Sequence, residues 1–381
     1  MNISTGQNRV TGRILTPSGW ICGEVEFGAR ISALRESSDQ SATIGRLPII
    51  LPGFMDLHVH GGDGVDIMQG GDSAWAVARA HARHGTTSML GTTMTAPQCD
   101  IEHALRGLSA AIMNPAQDAA RFLGVHLEGP FISLKRLGAQ PPAVLQATTD
   151  LVARLQALAP IKVLTLAPEI EGHLELIPAL AAMGIRVQIG HSSGSYEEGL
   201  AAIRAGVSGF THLFNGMTGL NHYQPGIVGA AMAHAEFAEL IPDLEHVHAG
   251  AMRAAMRAIP RLYCVTDATS ATSMPDGEYG LGSQRVFKCL GCVRLASGSL
   301  AGSALTMDQA LRNLVSIGLD LADASNRLSR YPAAYLGIED RGCIQPGAWA
   351  DLVVLNEALE VSQVFLEGRP LATTSQPRTE K

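Results

Sequence analysis

The stretch Phe54–Gly62, "FMDLHVHGG", decides the fold. An apolar run ends in two histidines two residues apart, and a glycine pair follows at once. In an extended strand, residues i and i+2 point to the same face. His58 and His60 therefore project together from the end of the run, where two imidazoles can share a metal ion. Taken alone the spacing also fits chance, so its weight depends on what the rest of the chain places beside it.

The pattern of this stretch recurs along the chain. "SAWAVARAHARHG" has helical spacing and stops at Gly85, and "TTSMLGTT" follows. Next come "RFLGVHLEGP", "KVLTLAPE", "RVQIGHSS", "SGFTHLFN", "FAELIPD" and "LYCVTDA", which with "MDLHVHGG" make eight candidate strands. Helical stretches such as "HLELIPALAAMG" and "SYEEGLAAIRAG" lie between them and close on glycine, which accepts left-handed geometry at a helix end. Strands alternating with helices imply parallel pairing, and eight such units predict an α/β fold of the closed (β/α)8 TIM-barrel type, about 250 residues long. An open doubly wound sheet would want a glycine-rich phosphate turn after its first strand, and "GGDG" is too short for one.

The two ends read differently. "GRILTPSGWICGEVEF" and "RLPIIL" near the start, and "GCIQPGAWADLVVLN" and "VSQVFLEGRPL" near the end, are short strand-like pieces split by turns. They predict a small β-sandwich domain built from residues 1–51 plus 342–381, with the catalytic barrel spanning 52–341.

Composition excludes several classes of function. Apolar residues make up 46% of the 381, charged residues 17%, and the net charge is −7, as in a folded globule with no basic run for nucleic acid or anionic membrane. No stretch approaches the roughly 18 apolar residues of a membrane span. "MNISTGQNRV" lacks the apolar core of a signal peptide, and the six cysteines are scattered, so a cytoplasmic home is expected. Cys289-x-x-Cys292 has no second pair and reads as ordinary buried thiols.

The strand ends carry the chemistry. The third run offers Glu128, the fifth His191, the sixth His212 and the eighth Asp267, each where His58 and His60 stand on the first. Active sites of such barrels form at that C-terminal rim. Glu128, His191 and His212 predict one metal site, and His58 and His60 help form a second beside Asp267. Imidazole and carboxylate ligands suit zinc first, and also iron(II), manganese or cobalt, at one or two ions per subunit. Asp267 is the candidate for moving a proton between water and a leaving group. His126 shares the face of Glu128 and stays unassigned. His81 and His84 read as helix-surface residues, and His173, His222 and His234 carry no signal. His246 and His248, in "PDLEHVHAG", are expected to touch substrate at the barrel mouth.

Taken together, "PGFMDLHVHGG", "HLEGPFIS", "LAPE", "GHSS", "THLFNGM", "PGIVGAA", "VTDA" and "LAGSALTMDQA" resemble the N-acetylglucosamine-6-phosphate deacetylases of the amidohydrolase superfamily, over nearly the whole chain. The resemblance implies a metal-dependent hydrolase that removes acetyl from an amino sugar, working as a homodimer. It implies that Glu128, His191 and His212 are the principal metal ligands, and that His58 and His60 match members able to hold two ions. It makes Asp267 the catalytic acid/base and places His246 near the substrate acetamide. Asn215 and Gly216 fall where members bind the sugar phosphate, and Met307 where a methionine lines the pocket.

Two positions depart from that pattern. Tyr223, in "HYQPG", stands where members carry a phosphate-gripping arginine, and Gln140 stands where they tend to carry histidine. A tyrosine hydroxyl has no charge to offer a phosphate. Either His222, Lys135 or Arg136 supplies the charge, or the substrate is another N-acyl sugar or amide without a 6-phosphate. A cyclic-amide or N-acyl-amino-acid hydrolase would want a modified lysine at the end of the fourth strand, but Lys162 stands at its start. A non-catalytic scaffold would have no need to keep every candidate ligand.

Overall fold

The eight apolar runs form strands Phe54–Val59, Thr86–Thr93, Arg121–Glu128, Ile161–Leu166, Arg186–Ile189, Gly209–Phe210, Glu239–Leu240 and Tyr263–Cys264. They are seen in a computed structural model that describes residues 8–37 and 47–372. The first six pair in sequence order as one parallel sheet, and the last two pair with each other. Two backbone bonds close the ring. Leu213 N donates to Glu239 O at 2.8 Å, and Asp267 N donates to His58 O at 3.0 Å. Phe54–Val59 and Thr86–Thr93 are buried at every residue, as expected of parallel strands wrapped by helices on the outside and filled on the inside.

Local chemistry sets the helix ends. Ser195 and Glu198 make a reciprocal capping box at the start of Tyr196–Ala205, and Gly206, at φ 119°, stops it. Capping of this kind is worth about 1 kcal/mol.

Both chain ends join one seven-stranded sheet. Ile49–Pro52 lies between Asn8–Thr16, to which it is parallel, and Leu352–Leu355, to which it is antiparallel. Ile14, Val25, Phe27, Ile50, Ile344 and Leu352 form a core for this unit, separate from the core of the barrel. Residues 1–7, 38–46 and 373–381 of the expected boundaries lie outside the described residues.

A three-stranded antiparallel sheet, Gly277–Leu281, Gln284–Cys289 and Cys292–Leu295, follows the eighth barrel strand and was not expected. Its turns hold Gly282 and Gly291 at φ 55° and 85°. The CxxC spacing is such a turn, with Cys289 and Cys292 direct partners across it. The buried-thiol expectation fails there: a hairpin tip leaves Cys289 exposed and Cys292 half-buried. The sheet walls one side of the barrel mouth, where Gly282 N donates to Asp66 Oδ2 at 2.9 Å.

Candidate active site

The rim residues converge. Glu128 Oε1 lies 3.0 Å from His191 Nε2 and 2.9 Å from His212 Nε2, and the two imidazole nitrogens are 3.2 Å apart. Beside them, His58 Nε2 and His60 Nε2 are 3.2 Å apart, at 3.4 and 3.2 Å from Asp267 Oδ1. Glu128 Oε2 turns to this second group, 3.2 Å from His60 Nε2. All six side chains are buried. His191, His212 and Asp267 adopt left-handed backbone, at φ 47°, 29° and 52°. That conformation is rare outside glycine and costs about 1–3 kcal/mol for each residue, and it is typical of strained functional positions.

Hydrogen bonds behind the cluster determine what it can hold. His58 Nδ1 faces Glu239 Oε2 at 3.0 Å, and His191 Nδ1 faces Arg136 O at 2.7 Å. A carboxylate and a carbonyl only accept, so both rings carry their hydrogen on Nδ1. When neutral, each then aims a bare Nε2 lone pair at Glu128 or Asp267, which is repulsive at these distances unless a cation lies among them. Protonation is one remedy. Burial pushes the imidazoles down, but Glu128 and Asp267 outweigh it, raising His60 to about 9 and holding His58 and His191 above their ordinary value. Burial likewise pushes both carboxylates up, and the facing imidazoles overcome it, leaving Glu128 and Asp267 below their ordinary range. A divalent ion answers the same demand, and the donor set fits one in each group: Glu128, His191 and His212, or His58, His60 and Asp267.

The other expected site residues divide. His246, Asn215, Gly216 and Gln140 line the pocket over the cluster. His246 Nδ1 is 2.6 Å from Asp243 Oδ2, and its backbone N donates to Asp243 Oδ1 at 2.9 Å. Gln140 is buried against Glu128, with its Nε2 donating to Glu128 Oε2 at 2.6 Å. Tyr223 is 85% exposed, lies against His222 with ring centroids 4.0 Å apart and planes tilted by 41°, and lines a separate cavity with Arg136. Met307 is fully buried in the barrel core and is not part of the pocket lining.

Three histidines differ from their sequence reading or complete it. His81 is buried, not on the surface, and its Nε2 donates to Gly61 O at 2.9 Å, bracing the turn after His60. His248 is exposed, caps Ala249–Ala258 by accepting from Gly250 N, and does not line the pocket over the cluster. His126 is buried beneath the cluster, its ring 4.6 Å from that of His58, and its Nε2 is 2.8 Å from Thr165 Oγ1. Sequence reasoning missed Glu239 and Asp243, which orient His58 and His246. Asp243 had a local signal, three residues before its histidine, whereas Glu239 had none.

A closed barrel whose C-terminal rim gathers four imidazoles and two carboxylates has the architecture of hydrolytic metal-ion barrels. The chain belongs to the amidohydrolase family, whose sequence model matches residues 49–371, and it is a hydrolytic enzyme. It is 38% identical to the N-acetylgalactosamine-6-phosphate deacetylase of Escherichia coli O157:H7, over 94% of this chain and 97% of that one. It is 37% identical to the N-acetylglucosamine-6-phosphate deacetylase of Vibrio furnissii, over 93% and 92%. A mutant N-acetyl-D-glucosamine-6-phosphate deacetylase from Mycobacterium smegmatis, solved in complex with N-acetyl-D-glucosamine-6-phosphate, superposes with a TM-score of 0.89 at 30% identity, covering 97% of this chain and all of that one. The Thermotoga maritima enzyme of the same name gives 0.88 at 30% identity, over 96% of this chain and 100% of that one. The resemblance drawn from the motifs is borne out.

Proposed function

We propose that this chain hydrolyses the acetamide of an N-acetylhexosamine 6-phosphate, N-acetylglucosamine 6-phosphate first, to acetate and the amino sugar phosphate. The observation that carries this is the convergence of two ligand groups, with Asp267 and His246 lining one pocket above them. Glu128, His191 and His212 would hold one divalent ion, and His58, His60 and Asp267 would hold a second. Zinc suits these donors first, with iron, manganese and cobalt also compatible. Such an ion would supply Lewis-acid polarisation of the carbonyl and a water acidic enough to react near neutral pH.

The chain's own groups do the rest. Asp267, held ionised at neutral pH, accepts the proton of the attacking water and delivers it to the departing amine nitrogen. His246 keeps its Nδ1 hydrogen on Asp243 and turns Nε2 to the pocket. There, in its protonated form, it donates to the carbonyl oxygen as negative charge develops. Burial pushes His246 down, but Asp243 outweighs it and favours that protonated form. Asn215 and Gly216 receive the sugar phosphate at the rim, and Gln140 acts through Glu128.

Among the described residues, no lysine or arginine lines this pocket. In this reading His222, Lys135 or Arg136 supplies the charge that Tyr223 lacks; the latter two are exposed on the short turn after the third strand. The same observation favours a second reading, an N-acyl sugar without the 6-phosphate. The exposed loop holding Leu220 and Tyr223 suits a homodimer contact, and six unpaired cysteines suit a cytoplasmic, reducing home. The chemistry is assigned to a barrel of residues 52–341, and the β unit of 1–51 plus 342–381 is assigned a structural role.

The test is acetate release from the gluco and galacto epimers of N-acetylhexosamine, each with and without 6-phosphate. Turnover confined to the phosphorylated sugars supports the reading. Turnover confined to the free sugars transfers support to the second one.

A further inference from the structure

Gln140 occupies an unusual place for a residue on a pocket wall. It is 5% exposed, and both ends of its amide are committed. Thr95 N donates to Oε1 at 2.7 Å, and Nε2 donates to Glu128 Oε2 at 2.6 Å. A backbone N–H can only donate, so the amide has one orientation and its N–H must face the carboxylate. Glu128 stands between the two ligand groups. Its Oε1 faces His191 and His212, while its Oε2 faces His60 at 3.2 Å and His58 at 3.5 Å. The hydrogen bond from Gln140 therefore falls on one oxygen only, the one turned toward His58, His60 and Asp267.

We propose that Gln140 is a positioning residue that makes the two ion sites unequal. It locks the carboxylate of Glu128 so that Oε1 is presented to the His191–His212 group. It also draws electron density from Oε2, weakening that oxygen as a ligand for the neighbouring group. The His191–His212 site then holds its ion tightly, and the His58–His60–Asp267 site holds a second ion loosely. Orientation of a ligating carboxylate by an outer hydrogen bond is worth about 10–100-fold in metal affinity.

This inference rests on the metal-dependent reading above, and its test separates the two. The full-length protein is stripped with a chelator and titrated with zinc by calorimetry, together with metal content after dialysis. The wild type is expected to bind two ions with affinities at least tenfold apart. Gln140→Leu removes the hydrogen bond, and Gln140→Asn keeps the amide but shortens its reach. Either is expected to weaken the tight ion by about 10-fold or more and to narrow the gap between the sites. Should Gln140→Leu fail to fold, the asparagine variant decides. Equal affinities in the wild type, or unchanged affinities in the folded variants, overturn the assignment of Gln140 and leave the hydrolase reading standing. A wild-type protein that binds no divalent ion overturns both.

Discussion

Glu239 Oε2 lies 3.0 Å from His58 Nδ1, with both side chains fully buried beneath the ligand cluster. The same carboxylate receives Gln188 Nε2 at 3.1 Å, Tyr263 Oη at 3.2 Å and the His212 backbone N at 3.3 Å. One side chain on the seventh strand thus sets the tautomer of a candidate ligand on the first and braces the strand end that carries His212.

Replacing Glu239 therefore has two separable effects. Glu239→Ala strands four buried donors and is expected to cost about 3–5 kcal/mol in urea denaturation. Glu239→Gln retains an acceptor but removes the charge behind His58. It is expected to fold, while binding at the His58–His60–Asp267 group weakens about 10–100-fold in a metal titration.

Asp267→Asn keeps an oxygen beside His58 and His60 but cannot carry a proton. The expected outcome is a folded protein that retains an ion at the His191–His212 group and loses about 10²–10⁴-fold in acetate release. Near-normal turnover would remove Asp267 from proton transfer.

His246 owes its raised pKa to Asp243. Burial alone would push it down, so Asp243→Asn lowers the pH at which the imidazolium is lost. If the protonated ring is the working form, the alkaline limb of the kcat/KM profile moves to lower pH in the variant. A limb that stays in place would mean His246 works as the neutral ring.

Away from the chemistry, Asp308 joins Thr306, His84 and Arg312 at the base of Met307–Ser316. Burial pushes its carboxyl up, but His84, Thr306 and Arg312 outweigh it and bring it to about 2, against an ordinary 3.8. A depressed carboxylate stabilises the fold above its unfolded pKa and loses that contribution as pH falls through the folded one. Asp308→Asn is thus expected to cost about 2 kcal/mol at pH 7. The difference from wild type should disappear as the pH is taken from 4 to 2, measured by chemical denaturation.

Chelation should abolish turnover and lower the melting temperature, because an ion that binds only the folded chain stabilises it by mass action. The three left-handed residues at the rim would add to that sensitivity, since a bound ion would help hold His191, His212 and Asp267 where the backbone prefers not to be. Zinc, cobalt or manganese restoring activity in different degrees would identify the working metal.

Local pattern was enough for much of this protein. Alternating apolar runs and glycine-closed helices located all eight barrel strands, because strand and helix periods are written over a few residues. The same periods put His58 and His60 on one face and marked Glu128, His191, His212 and Asp267 as strand-end groups. The three-stranded sheet at the mouth was missed although Gly282 and Gly291 marked its hairpins, because its strands alternate weakly on a half-exposed surface.

What only the tertiary structure decided is what each of those groups touches. His81 lies on a helix whose polar residues suggest solvent, yet the packing of that helix under the His60 turn buries it. Glu239, on the seventh strand, and Gln140, on the loop after the third, gain their roles from partners more than a hundred and about a dozen residues away, His58 and Glu128. Side-chain period is a property of neighbours along the chain, whereas hydrogen-bond partnership across a closed barrel depends on register and closure, which no short window of sequence contains.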